Sequence, residues 1–211
     1  MKVSKKIISF LLAAVVLLGS LCLSGCGSEP PALEDVYDRL VYVIEESMEI
    51  NTVIFGEGLP VYEQGSDLCE LNRTYYGFNK YGVEMVMPYS RYGSTGEIRA
   101  AMARVYSKAY RESLDEMLFT GYAYSELQDA VMPAKYTEDI YGFYQSEDAA
   151  TLVGGMRFYD YASMTLLDSS NAQYLKVSVR SYSDKTPNQW EDRELTFVYE
   201  NNNWYLDVPS C

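Results

Sequence analysis

The sequence predicts an α+β domain, with helices packed on one face of a curved antiparallel sheet. Three observations lead there. Leu33, Val36, Tyr37, Leu40, Ile44 and Met48 recur at steps of three and four, the apolar stripe of one helix face. Ser94-Thr95-Gly96-Glu97 opens a second stripe made of Ile98, Ala101, Met102, Val105 and Tyr106. The C-terminal third alternates instead, with Leu175, Val177 and Val179 set between Lys176, Ser178 and Arg180, as a strand with one buried face requires.

Taken in chain order, residues 1–25 read as an export signal. Lys2, Lys5 and Lys6 make a positive start, and an apolar run follows from Ile7 to Leu23. That run is at the short end of the ~17–25 residues a membrane span requires. It ends on Leu23-Ser24-Gly25-Cys26, which resembles the lipobox of bacterial lipoproteins position for position. The resemblance implies cleavage before Cys26, acylation of that cysteine, and attachment to the outer face of a membrane. Two acyl chains suffice for stable anchoring. Residues 26–31 then form the lipidated tether. Its five residues Gly27-Ser28-Glu29-Pro30-Pro31 reach at most ~17 Å when extended, so the domain sits close to the bilayer.

Residues 32–211 form the single α+β domain. In 32–60, Pro31 stands where an opening helix tolerates proline, and Glu34 and Asp35 suit the positive end of the helix dipole. This helix ends near Phe55, and Gly56-Glu57-Gly58-Leu59-Pro60 is a turn. In 61–211, Thr74–Phe78 and Val83–Met87 are strand candidates. Ser94 and Glu97 form a capping box, each serving the other's backbone amide. Ser107 caps the next helical segment, carrying Tyr110, Leu114, Met117 and Leu118, which Thr120-Gly121 closes. Leu195, Phe197 and Tyr199 alternate along a further strand. Asn201-Asn202-Asn203 turns the chain, because Asn tolerates the left-handed conformation. Trp204, Leu206 and Val208 resume one face.

Composition limits function. Removing residues 1–25 takes three lysines from the 17 basic residues, leaving 14 against 30 acidic ones and a formal charge of −16. Such a chain does not meet a phosphate backbone, so nucleic acid is excluded as a partner. Twenty-one tyrosines suit half-buried sheet faces and binding surfaces. Beyond Cys26, the mature chain keeps Cys69 and Cys211, which either pair as a disulfide in an oxidising compartment or stand as two free thiols.

Catalytic chemistry is poorly provided for. The chain has no histidine, which removes Ser-His-Asp and Cys-His catalysis and a histidine general base. Glu45-Glu46, Asp115-Glu116, Glu138-Asp139, Glu147-Asp148 and Glu191-Asp192 are adjacent pairs, and neighbours on a helix or strand diverge rather than flank one bond. No catalytic residue, metal ligand or cofactor is therefore expected.

Glu194–Cys211, a strand, a polar turn and Asn203-Trp204-Tyr205-Leu206-Asp207-Val208-Pro209, resembles the closing hairpin of small secreted domains of Gram-positive bacteria. Two families share it: the NTF2-like (cystatin-like) group, a helix-covered sheet with a pocket, and the IseA-like group, which inhibits cell-wall DL-endopeptidases. Ser94–Leu118 is similar to the helical region before the sheet in both, and the likeness spans Tyr75 to Cys211. It implies a non-catalytic domain that binds an envelope protein, a cell-wall enzyme or another envelope component. The alternative it implies is a small-molecule pocket.

A direct test addresses the anchor. Cys26→Ser removes the acyl acceptor, so the protein should leave the membrane fraction or persist as unprocessed precursor on immunoblots. Membrane retention at mature size in that variant would overturn the lipoprotein expectation.

Overall fold

Helix α1, Leu33–Ile54, buries Val36, Leu40, Val43, Ile44, Ile50, Val53 and Ile54 along one face. The computed structural model describes residues 31–62, 83–123, 131–132, 134–140, 142–146 and 156–211. The signal, Cys26, the tether to Pro30, the Thr74–Phe78 strand candidate and Cys69 lie outside them. Among the described residues no helix is long and apolar enough to cross a membrane. Ala32, which has no side-chain acceptor, precedes the first turn of α1, so Pro31 stands just outside the helix rather than in it. Glu34 and Asp35 occupy that turn as expected.

Helix α2, Thr95–Val105, begins at Ser94, whose hydroxyl accepts from the Glu97 amide. The reciprocal half of the box differs from expectation. Glu97 reaches one residue further back and accepts from the Gly93 amide at 2.7 Å. Helix α3, Lys108–Asp115, is capped by Ser107 through the Tyr110 amide and runs on as a π-helical turn over Glu116–Thr120. Gly121, at φ 76°, stops it in a conformation that glycine adopts without strain.

Among the described residues the strands fall into three antiparallel sheets rather than one. Strands β1 (Val83–Met85), β4 (Tyr136–Asp139) and β5 (Gly142–Ser146) make a small sheet in the order β1-β5-β4. Strands β2 (Tyr122–Ala123) and β3 (Val131–Met132) pair with each other. The main sheet has the order β6-β7-β8-β9, from β6 (Arg157–Asn171), β7 (Tyr174–Ser183), β8 (Glu191–Glu200) and β9 (Asn203–Leu206). The β8–β9 turn places Asn201 and Asn202 at φ 50° and 62°, the left-handed conformation expected of that asparagine run.

Alternation divides the main sheet into a wet and a dry face. Leu175, Val177, Val179, Leu195, Phe197, Trp204 and Leu206 point inward, where α1 and α2 cover them. Tyr106 links the layers, since it forms a parallel bridge to Leu206 and the Ser107 amide donates to the Leu206 carbonyl. The edge of β9 is thereby closed by helix and loop.

A polar seam joins the segment after β9 to α1. The hydroxyls of Ser210 and Ser47 are hydrogen-bonded, and Asn51 Nδ2 donates to Ser210 Oγ at 2.8 Å. The Tyr106 hydroxyl donates to Asn51 Oδ1, and the Tyr159 hydroxyl donates to the Ser210 carbonyl. Arg193 Nη2 donates to the Cys211 carbonyl at 2.7 Å. Burial raises the Tyr106 and Tyr159 hydroxyls well above the ordinary tyrosine range, so both remain protonated donors.

Trp204 is only 5 % exposed. It packs against Tyr199, with ring centroids 5.2 Å apart. Trp204→Ala should cost about 3–5 kcal/mol, the range for deleting a large core aromatic. Chemical denaturation checks this, and a loss below about 1 kcal/mol would contradict the packing.

Candidate binding surface

The carboxylate pairs do not converge. Asp115 is ion-paired with Arg99. Glu138 caps α2, accepting from the Thr95 amide at 3.1 Å and its hydroxyl at 2.9 Å. Glu191 pairs with Arg157, whereas its neighbour Asp192 belongs to the register position facing Arg180, on the other side of β8. Glu147-Asp148 lies outside the described residues. Among the described residues no three acids or cysteines gather as a metal site. Cys211 is a half-buried free thiol, pushed up to about 11 chiefly by burial, which makes it a poor nucleophile.

One perturbed group escaped the sequence reading. Lys135 is 3 % exposed. Its ammonium donates to the Gly56 carbonyl at 2.6 Å and the Ile54 carbonyl at 3.4 Å. Beside it, the Tyr136 hydroxyl donates to the Val53 carbonyl at 2.8 Å. Helix α1 has no basic residue in its own last turn, so Lys135 supplies from a distant strand the cation that a helix C-terminus favours. Burial lowers its pKa to about 8. Its contacts are helix-end carbonyls, and this makes it a cap.

The outer face of the main sheet is different. Phe158 on β6 stands opposite Tyr182 on β7. Their rings stack at 5.2 Å with 19° between planes. Trp190, just before β8, meets Tyr182 edge-on at 4.8 Å and 69°. The Arg180 guanidinium lies 5.1 Å from the Trp190 ring centre. Core aromatics would be covered, yet Phe158 is 40 % exposed, Trp190 46 % and the neighbouring Met156 49 %.

The chain builds this cluster deliberately. Outward positions on β7 alternate with its buried valines, which puts Arg180 and Tyr182 on the same wet face. The loop 184–190 is held down rather than loose. The Asp184 amide donates to the Met156 carbonyl at 2.9 Å, and the Gln189 amide donates to the Thr186 carbonyl at 3.1 Å. Pro187 followed by Asn188 at φ 82° fits a type II turn. Trp190 therefore leaves a fixed turn, and Pro187-Asn188 was the available sequence signal.

Trp, Tyr and Arg are the residues enriched at the energetic centres of protein interfaces. A contiguous exposed apolar patch with charged neighbours is the surface feature that marks an interaction site. Ile140 and Tyr89, also exposed, stand on separate turns. No family model matches this chain, and no curated protein matches it in sequence.

The buried lysine gives a pH test. A lowered lysine pKa means the unfolded chain binds the proton more tightly between about pH 8 and the ordinary 10.5. Stability should therefore rise with pH from 8 to 9, by at most ~1.4 kcal/mol per unit. Above 9 the raised Cys211 thiol acts in the opposite sense, because only the unfolded chain then loses that proton. Lys135→Met should flatten the rise between pH 8 and 9 in denaturant titrations, and an unchanged slope would remove Lys135 as its source.

Proposed function

We propose that this protein is a membrane-anchored, extracytoplasmic binding lipoprotein, held by acylated Cys26, with no catalytic activity of its own. Its α+β domain docks a protein or another cell-envelope component through the aromatic outer face of the main sheet. The observation that carries this reading is the Phe158–Tyr182–Trp190–Arg180 cluster, exposed yet fixed by strand register and a hydrogen-bonded turn.

An inhibitor of cell-wall endopeptidases is the specific version that the IseA-like resemblance suggests. In that version the ordered patch covers the enzyme and brings no reacting group. An NTF2-like pocket for a small molecule is the fold-level alternative. The helices that cover the inner face of the main sheet are compatible with both families. The exposed aromatic face favours the docking reading.

The test pairs binding with activity. In-cell crosslinking should trap an envelope component on the wild-type chain, and Tyr182→Ala/Trp190→Ala should lose it while melting within a few degrees of wild type. The purified chain should show no turnover of peptidoglycan, peptides or glycosides. Crosslinks that survive the double substitution would remove the aromatic face from function. Turnover abolished by one Asp or Glu substitution would refute the non-catalytic reading.

A further inference from the structure

Strand β6 is 15 residues long and stands at the edge of the main sheet. Among the described residues no strand pairs with its outer side. An exposed strand edge is a template for another chain, and proteins commonly blunt it with bulges and charges. Here the blunting is uneven. Register shifts fall between Asp160 and Thr165, between Leu166 and Asp168, and between Asp168 and Asn171. The first four residues, Arg157 to Asp160, pair with Ser183 to Arg180 without a break. The regular stretch of the edge is thus the one that carries Phe158.

Ring orientation narrows the ligand class. Phe158 and Tyr182 face each other across adjacent strands, and Arg180 covers Trp190. Each of these contacts takes up a ring face, the surface a sugar stacks upon. Met156 beside them is exposed and is a flexible chain rather than a flat ring, and apolar side chains of a protein fit such a mixed surface.

Charge narrows it again. In the register, Asp160 and Asp192 flank Arg180 on either side. Among the described residues, neither makes a salt bridge. Arg180 lies instead over the indole. The whole chain carries a formal charge of −13. A partner that brings Lys or Arg beside its apolar side chains gains from both carboxylates, and the long-range field speeds its approach.

We propose that the partner is a basic protein. One extended segment of it adds alongside β6 at Arg157–Asp160, with apolar side chains across Phe158, Tyr182 and Trp190 and cationic ones toward Asp160 and Asp192. Strand addition of this kind draws affinity from main-chain hydrogen bonds and specificity from alternate side chains. The proposal rests on the docking role of the aromatic face and names the class of partner for it.

The probe is a random peptide display library, selected on the full chain in phosphatidylcholine nanodiscs. Selected peptides should be net positive and alternate apolar with Lys or Arg. Trp190→Ala should weaken them at least tenfold. Asp160→Asn/Asp192→Asn should weaken them several-fold and flatten their salt dependence. Bound peptide should slow amide exchange at Arg157–Asp160, and N-methylation at alternate peptide positions should abolish binding. Selection of neutral or acidic peptides, of peptides indifferent to Trp190→Ala, or of none at all overturns the proposal. So does unchanged exchange along β6. If isolated peptidoglycan binds instead and is lost in Trp190→Ala, the docking face stands and the basic-protein partner falls. If Trp190→Ala alters neither peptide nor peptidoglycan binding, both fall.

Discussion

Ser210 sits between Ser47 and Asn51 on the buried face of α1, and the arrangement of both layers depends on that junction. A helix face that buries polar groups requires partners for them, because each orphaned group costs about 1–3 kcal/mol. Ser47 Oγ also donates to the Ile44 carbonyl, so the helix holds one end of the network itself. The other end must come from elsewhere. Residues 207–211 supply it, while Tyr106 and Tyr159 approach from the α2–α3 joint and from β6. Apolar packing alone would allow α1 to slide or rotate over the sheet. Directional bonds from Ser210 and Tyr106, with Tyr159 holding the Ser210 carbonyl, fix one position.

The far end of α1 is held by similar means. Lys135 and Tyr136 reach the carbonyls of the last turn, and Gln145 accepts from the Leu59 amide and donates to the Glu57 carbonyl. Glycine suits position 58 on two counts: its φ is 92°, and a Cβ there would collide with the Gln145 side chain. The small sheet thus serves as a clamp on a helix end, while the main sheet carries the exposed aromatic surface. Holding the helices firmly on the inner face leaves the outer face with no packing duty.

Much of the architecture was legible in the sequence, and the misses have physical causes. The helix stripes, the Ser94 and Ser107 caps, the asparagine turn and the alternation of β7 are local signals, and they stand where expected. Met48 packs against the core from its rim as the stripe predicts, but the fully buried positions beside it include the polar Ser47 and Asn51. A hydrophobicity count passes over polar residues that are buried because they are paired. Strand β6 carries no clear sequence signal, since its bulges destroy the two-residue period that marks a strand. The division into three sheets escaped for a related reason, because short β4 and β5 owe their form to the helix end they clamp. The aromatic surface is the hardest case. Phe158, Tyr182 and Trp190 are separated in sequence, and only strand register brings them together.

The seam at Ser210 also has a kinetic consequence. Ser47 and Ser210 are 163 positions apart, so the contact that fixes α1 is among the most expensive to close in chain entropy. Helix α1 can coil early, but its polar face has no Ser210 partner until those 163 further residues have been delivered and the main sheet has formed. Contacts of such long range slow folding. In the interval α1 presents Leu40, Val43 and Ile44 to its surroundings, an adhesive helix awaiting its sheet. A chain that emerges from its N-terminus therefore spends most of its delivery time in need of protection.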